Sequence, residues 1–150
     1  MDIYDKQAVS AVWRRVHQGR ENDELEQALS EAIAFERRAA SAYHAMARCS
    51  GNPLFFRLSA QENCHARKLS ALYYLLFECP PCEQRQCPPR IDNFCQAVRE
   101  AYRGEKMAIE RYERMANDHP EHRELFCALA MEEKCHAHHL HRLAEQFLTR

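Results

Sequence analysis

Glycine is nearly missing from this chain, with three in 150 residues. Alanine, leucine and glutamate are frequent instead, and no window sustains the apolar–polar alternation of a half-buried strand. That combination excludes a turn-rich β protein and points to an all-α fold. Apolar runs near the roughly 20 residues needed to span a bilayer are absent as well, so no membrane partner is expected. No single charge sign dominates: the formal net charge is −1, with Lys and Arg interspersed among Asp and Glu, and no nucleic-acid footprint results. The opening residues Met1–Asp5 have neither the basic start nor the apolar stretch of a secretory signal, which makes the cytoplasm the expected compartment. Cysteine breaks this pattern of scarcity. Eight are present, but a chain of this length can bury a core without disulfides, and reduced thiols are expected.

What is present is a repeat. Glu62-Asn63-Cys64-His65 and Glu133-Lys134-Cys135-His136 lie 71 residues apart. Around them Leu58, Ala66, Leu69 and Leu72 match Leu129, Ala137, Leu140 and Leu143 at the same offset. Upstream, at an offset of 69, Glu36, Ala39, Tyr43, Met46 and Ala47 match Glu105, Ala108, Tyr112, Met115 and Ala116. One helical hairpin is therefore used twice, with a lone Glu on its first helix and Glu-x-x-His on its second.

The pattern places a leading amphipathic helix over 5–18, with Val9, Val12, Trp13 and Val16 on one side, and divides the chain into this 1–22 segment and a bundle over 23–150. The first bundle helix is expected to start at Asp23, where Asp23 and Glu26 have capping-box spacing, and to stop at Gly51. Its inward stripe is Leu29, Ile33, Glu36, Ala40, Tyr43 and Ala47. Asn52-Pro53 restarts a second helix to about Phe77, with Leu58, Glu62, His65, Leu69, Leu72 and Leu76 inward. A third runs from about Asp92 to Ala116, with Val98, Ala101, Glu105, Ala108 and Tyr112 inward. A fourth begins near Asp118-His119-Pro120, with Asp118 and Glu121 as its capping box. Between the second and third lies Cys79–Arg90, with four prolines in twelve residues, which cannot be helical. Twelve extended residues reach at most about 40 Å, and a 26-residue helix is about 39 Å long. The linker just suffices to return along the bundle, giving two tight hairpins joined by one long crossover.

Glu36, Glu62, Glu105 and Glu133 thus fall on inward faces, where four ionised carboxylates need neutralising. Two divalent cations would do so, with His65 and His136 completing a nitrogen–oxygen ligand set suited to iron or manganese and possible for zinc. A Glu from each of two helices with Glu-x-x-His from each of the others is the ligand set of a two-metal four-helix bundle. Tyr43 and Tyr112, two turns beyond Glu36 and Glu105, are placed to hydrogen-bond a ligand carboxylate of the opposite hairpin; read singly, each only fills core. Cys64 and Cys135 lie roughly 200° around the helix from their Glu and should point away as packing residues. Glu132, four residues before His136, is a possible substitute ligand, and His138, His139 and His141 read as a solvated face. Cys79, Cys82, Cys87 and Cys95 are expected to be free thiols, with metal binding or disulfide formation left open.

With Glu36 and Tyr43, Glu62-x-x-His65, Glu105 and Tyr112, and Glu133-x-x-His136 in this order, the chain over about 23–148 resembles the ferritin-like di-metal carboxylate superfamily, most closely its rubrerythrin branch. The resemblance implies a ferritin-like four-helix bundle and two iron ions per chain, with Glu62 and Glu133 bridging, Glu36 and Glu105 terminal, and His65 and His136 each capping one ion. It also implies reduction of hydrogen peroxide by ferrous iron, re-reduced by an external redox protein. Two departures stand out. No rubredoxin-like domain with paired Cys-x-x-Cys follows, and Ala108 occupies the place of the additional Glu that rubrerythrins commonly carry one turn beyond the third-helix ligand. The alternatives are a ferroxidase that uses oxygen and handles iron, and a metal-stabilised interaction module. A homo-oligomer, as a dimer, is expected from the apolar face around Trp13.

Overall fold

A computed structural model describes residues 6–82 and 86–148; residues 1–5, 83–85 and 149–150 lie outside the described residues, as do the side chains of 6–8, Val9, 11, 14, 15, 17, 18, 21 and 148. Four helices carry the chain: α1 (Lys6–Ser50), α2 (Pro53–Phe77), α3 (Phe94–Asp118) and α4 (Arg123–Leu148), with a 3-10 turn at Pro120–His122 before α4. No strand occurs among the described residues, and no helix there is long and apolar enough to cross a membrane.

The hairpin turns follow local chemistry. Gly51 takes φ 66°, the left-handed conformation that ends α1, and Asn52 caps α2 by accepting from the Leu54 amide, with Pro53 in the first turn. Asn93 caps α3 through the Gln96 amide. Two expected helix starts are corrected. No break precedes Asp23: α1 runs unbroken from Lys6, because Gly19 alone costs only about 1 kcal/mol in a helix and no proline interrupts it. An N-cap needs non-helical backbone, so Asp23 and Glu26 form no capping box. Likewise Asp118 closes α3 instead of capping α4, and Pro120 opens the 3-10 turn with no side-chain cap.

The direction of each helix follows from what packs at each end. The middle of α1 (Leu25, Leu29) joins the end of α2 (Leu69, Tyr73), the end of α3 (Tyr112, Met115) and the start of α4 (Phe126, Leu129) in one apolar cluster. The other cluster joins the end of α1 (Tyr43, Met46), the start of α2 (Phe55, Leu58), the start of α3 (Val98) and the end of α4 (Leu140). Hence α2 and α3 run the same way, α1 and α4 the other way, and the crossover at 78–93 returns along the bundle. An up-down-up-down bundle, in which α1 and α3 would be parallel, is ruled out. The inward stripe of α1 is buried as expected, and that of α3 is buried except for half-buried Ala101; Leu76 of α2 instead turns to solvent. Between the two apolar clusters, at mid-bundle, sits a layer of polar side chains.

Candidate metal centre

Each helix contributes to that layer by its periodicity. Glu36 and Glu105 stand on the buried stripes of α1 and α3, and the i, i+3 spacing turns Glu62 with His65, and Glu133 with His136, to one face of α2 and α4. All six are buried, Glu36, His65 and Glu133 with no exposure at all. Their ligand atoms form two groups whose members lie within 4.8 Å of one another: Glu36, Glu62, His65, Glu133 and Glu62, Glu105, Glu133, His136. Glu62 and Glu133 belong to both groups. The two imidazoles stack, centroids 5.5 Å apart, on the α2–α4 side.

These donors fit a cation better than they fit one another. His65 Nδ1 lies 2.8 Å from Glu133 Oε1, 3.2 Å from Glu62 Oε2 and 3.7 Å from Glu36 Oε2. His136 Nδ1 lies 2.9 Å from both Glu62 Oε1 and Glu133 Oε2, and 3.9 Å from Glu105 Oε2. One N–H cannot serve three oxygens. Glu36 Oε2 accordingly has no hydrogen-bond partner, and Glu62 Oε1 and Glu133 Oε1 approach an imidazole without hydrogen-bond alignment. Buried lone pairs converging in this way form a cation site in each half. The residues present can hold metal ions.

Protons do the neutralising in the metal-free protein. Burial, reinforced by the neighbouring carboxylates, pushes Glu36 up to about 8 and Glu105 up to about 10. Burial also acts to raise Glu62 and Glu133, but hydrogen bonds from His136 and His65 outweigh it, bringing Glu62 down to about 2 and Glu133 below its ordinary value. For the imidazoles burial favours the neutral form, yet the carboxylates around them win: His136 is raised to about 10, and His65 is raised as well. These shifts favour protons on Glu36, Glu105, His65 and His136 and the ionised form of Glu62 and Glu133. Replacing one proton from each of Glu36, Glu105, His65 and His136 by two divalent cations leaves the net charge of the layer unchanged.

The tyrosines cross between hairpins. The Tyr43 hydroxyl donates to Glu105 Oε1 and the Tyr112 hydroxyl to Glu36 Oε1, so each fixes the carboxylate of the other hairpin. Burial first, and then the adjacent carboxylate, holds both phenols well above their usual range, keeping them neutral donors.

Of the two adjacent acidic residues on α4, Glu133, which the repeat favours, is the one in both ligand groups. Glu132 does not approach the layer; its Oε2 accepts from His65 Nε2 at 2.6 Å, and its Oε1 from Lys68 Nζ at 3.0 Å. His136 Nε2, by contrast, is buried without a partner. The signal lay in the repeat, because the position matching Glu132 is Gln61 and the one matching Lys68 is His139. Cys64 is half-buried and Cys135 exposed, so Cys135 does not pack; none of the eight cysteines forms a disulfide, and Cys79, Cys82, Cys87 and Cys95 are all exposed. His138, His139 and His141 face solvent.

No protein-family model and no curated protein matches the chain. Among solved structures it is similar to a hypothetical protein from Pyrococcus furiosus, with 22% identity, a TM-score of 0.70, and coverage of 83% of this chain and 90% of that one. That likeness extends to the fold. A helical bundle with a buried carboxylate–histidine cluster able to hold metal is the class these observations define.

Proposed function

We propose that this is a non-haem di-iron oxidoreductase of the ferritin-like superfamily, rubrerythrin branch, reducing hydrogen peroxide with electrons from ferrous iron. The observation that carries the reading is the overlap of the two ligand groups at Glu62 and Glu133. Two shared carboxylates with one private Glu and one private His on each side suit a bridged ion pair. Glu36 and His65 would hold one ion, Glu105 and His136 the other, and Glu62 and Glu133 would serve both. Iron is the expected metal, with manganese or zinc as possible occupants of the same donors. When bound, a ferrous pair supplies two electrons to a peroxide O–O bond.

The chain's own part is binding and orientation. Tyr43 and Tyr112 hold Glu105 and Glu36 in place from across the bundle, and Glu132 holds the His65 ring from behind. The apolar clusters above and below the layer close it toward both ends of the bundle. An external redox protein returns the electrons. A second copy of the chain is proposed to pack on the early part of α1, where Val12, Trp13 and Val16 are exposed.

Ala108 favours a second reading. It is fully buried at the position where rubrerythrins commonly carry the additional Glu, leaving a symmetric ligand set. Such symmetry suits a ferroxidase that uses oxygen. Anaerobic loading with ferrous iron, followed by rapid mixing with hydrogen peroxide or oxygen, separates the two. Two irons per chain oxidised much faster by peroxide is the expected result. Preference for oxygen with uptake beyond two transfers the assignment to iron handling, and a bound metal inert to both oxidants leaves a structural bundle.

A further inference from the structure

The α1–α3 seam, opposite the stacked imidazoles, carries two grooves related by the internal repeat. One, of about 640 Å³, runs from crossover residues 89–93 down to Tyr43 and Glu105. The other, lined by Ala28, Glu31, Arg111 and Met115 among others, reaches neither Tyr112 nor Glu36. The repeat explains why. Gly104 corresponds to Phe35 and Ala42 to Arg111. The Arg111 guanidinium, which lines the second groove, sits 4.5 Å from the centroid of the Phe35 ring, which lines the first beside Gly104, so Arg111 stands in the second groove where the first has only Ala42. A Cβ on Gly104 would already meet the Phe35 ring at 3.5 Å. The centre therefore opens to one side, at the Glu105–Tyr43 end.

We infer that this groove binds an organic hydroperoxide, with its –OOH group at the Tyr43–Glu105 end and its hydrocarbon body along the seam. The assignment rests on the peroxide reading above and names its substrate. Size is the first argument. A water occupies about 30 Å³ of liquid, so the groove exceeds the needs of a molecule as small as hydrogen peroxide by roughly an order of magnitude. It falls instead in the range of small-molecule sites, about 300–1,000 Å³. Chemistry is the second argument. Ala39, Ala42, Met46, Ala97 and Ala101 make apolar walls, Tyr43 and Glu105 are the buried polar groups of the lining, and the exposed Arg38, Arg90, Asp92 and Glu100 supply its charged groups. Such a site suits a ligand that is apolar along its length and polar where it reacts. Reduction of the hydroperoxide breaks its O–O bond, takes two electrons from the ferrous pair and two protons from solvent, and gives an alcohol and water.

The test uses the full chain and two probes, cumene hydroperoxide and its product alcohol, 2-phenyl-2-propanol. The alcohol is titrated into redox-inert, zinc-loaded protein and followed by NMR, with Ala42→Phe and Ala97→Leu as two independent fillings of the groove. Neither residue is a proposed ligand, and metal content and helicity are checked in both variants. The expected result is that the alcohol shifts groove resonances in the parent and not in the variants. The ferrous parent should be oxidised by cumene hydroperoxide, and both variants should lose at least about tenfold more of that rate than of their rate with hydrogen peroxide. An alcohol that does not bind the parent, or equal losses with both peroxides, overturns the groove assignment and leaves the peroxide reading standing. Failure of both peroxides to oxidise the ferrous parent overturns the peroxide reading, and the substrate with it.

Discussion

The two halves of the centre hold the same ligand types and differ in what stands behind them. In the His65 half the imidazole is gripped at both nitrogens, with Nδ1 toward the carboxylates and Nε2 on Glu132, itself tied to Lys68. In the His136 half Nδ1 faces the carboxylates equally well, but Nε2 has no partner. The seam repeats the contrast, with Arg111 filling one groove where its counterpart Ala42 leaves the other open as far as Tyr43 and Glu105. The internal repeat supplies equivalent ligands, and four pairs of positions that differ between its copies make the halves unequal. A carboxylate behind a ligating imidazole fixes its ring and raises its basicity. The His65 ring is thus held at both nitrogens, and the His136 ring, in the half next to the open groove, at one.

The largest effect tests the shared ligands against the private ones. Glu62→Ala removes a donor common to both groups, and metal analysis should find neither ion retained. Glu36→Ala removes a donor from one group alone and should leave one ion per chain. Equal losses in the two variants would show that the halves do not share Glu62.

Next comes the support behind His65. Glu132→Gln should weaken one of the two metal-binding steps by about 10–100-fold, the usual scale for such partners, and spare the other. Competition with a chelator reads the two steps separately. Gln61→Glu should narrow the difference by giving His136 Nε2 an acceptor; if neither substitution changes the ratio of the steps, the asymmetry has no energetic weight.

Proton release sharpens the electrostatic equivalence of the halves. Metal uptake near pH 7 should expel protons from Glu36, Glu105, His65 and His136, seen as a dependence of calorimetric heat on buffer ionisation enthalpy. Stability of the metal-free protein follows with a definite sign. Glu36, ordinarily 4.5, is raised to about 8, and His136, ordinarily 6.5, to about 10. Across those intervals the folded state binds more protons than the unfolded chain, so stability is full below the ordinary values and falls as pH rises through the raised ones. Glu62, depressed to about 2, acts oppositely: its contribution is lost as pH falls below 4.5. Thermal unfolding of metal-free protein should therefore give a maximum Tm in mild acid and a decline toward pH 8 to 10, which metal loading should flatten.

The smallest effect concerns the crossed tyrosines. Tyr43→Phe and Tyr112→Phe each remove one buried hydrogen bond and should cost about 1–3 kcal/mol in denaturant unfolding of the metal-free protein. Similar costs are expected, because this part of the centre is symmetric. A much larger loss for Tyr43 would place the open groove's floor under greater strain than its mate.

Much of this was legible in the chain. The period-three-and-four stripe through Leu29, Ile33, Glu36, Ala40, Tyr43 and Ala47 marked the buried face of α1, because helix geometry ties sequence spacing directly to direction. The proline-rich stretch after Phe77 marked the crossover for the same local reason, since proline cannot continue a helix. The unbroken run of α1 through Asp23 was not legible. Capping spacing shows only that a helix can start there, and nothing local forced a break.

Sequence alone thus determined the helices, the repeat and which six side chains face inward, because each depends on residues a few positions apart. Tertiary structure decided the rest. That Glu62 and Glu133 are shared, that Tyr43 serves Glu105, that Glu132 braces His65 instead of joining the ligands, and that Ala42 leaves one side of the seam open all depend on how helices from the two hairpins meet. Those meetings join residues some 62 to 76 positions apart. No local rule fixes such a pairing; it is set by the packing of two apolar clusters around one polar layer.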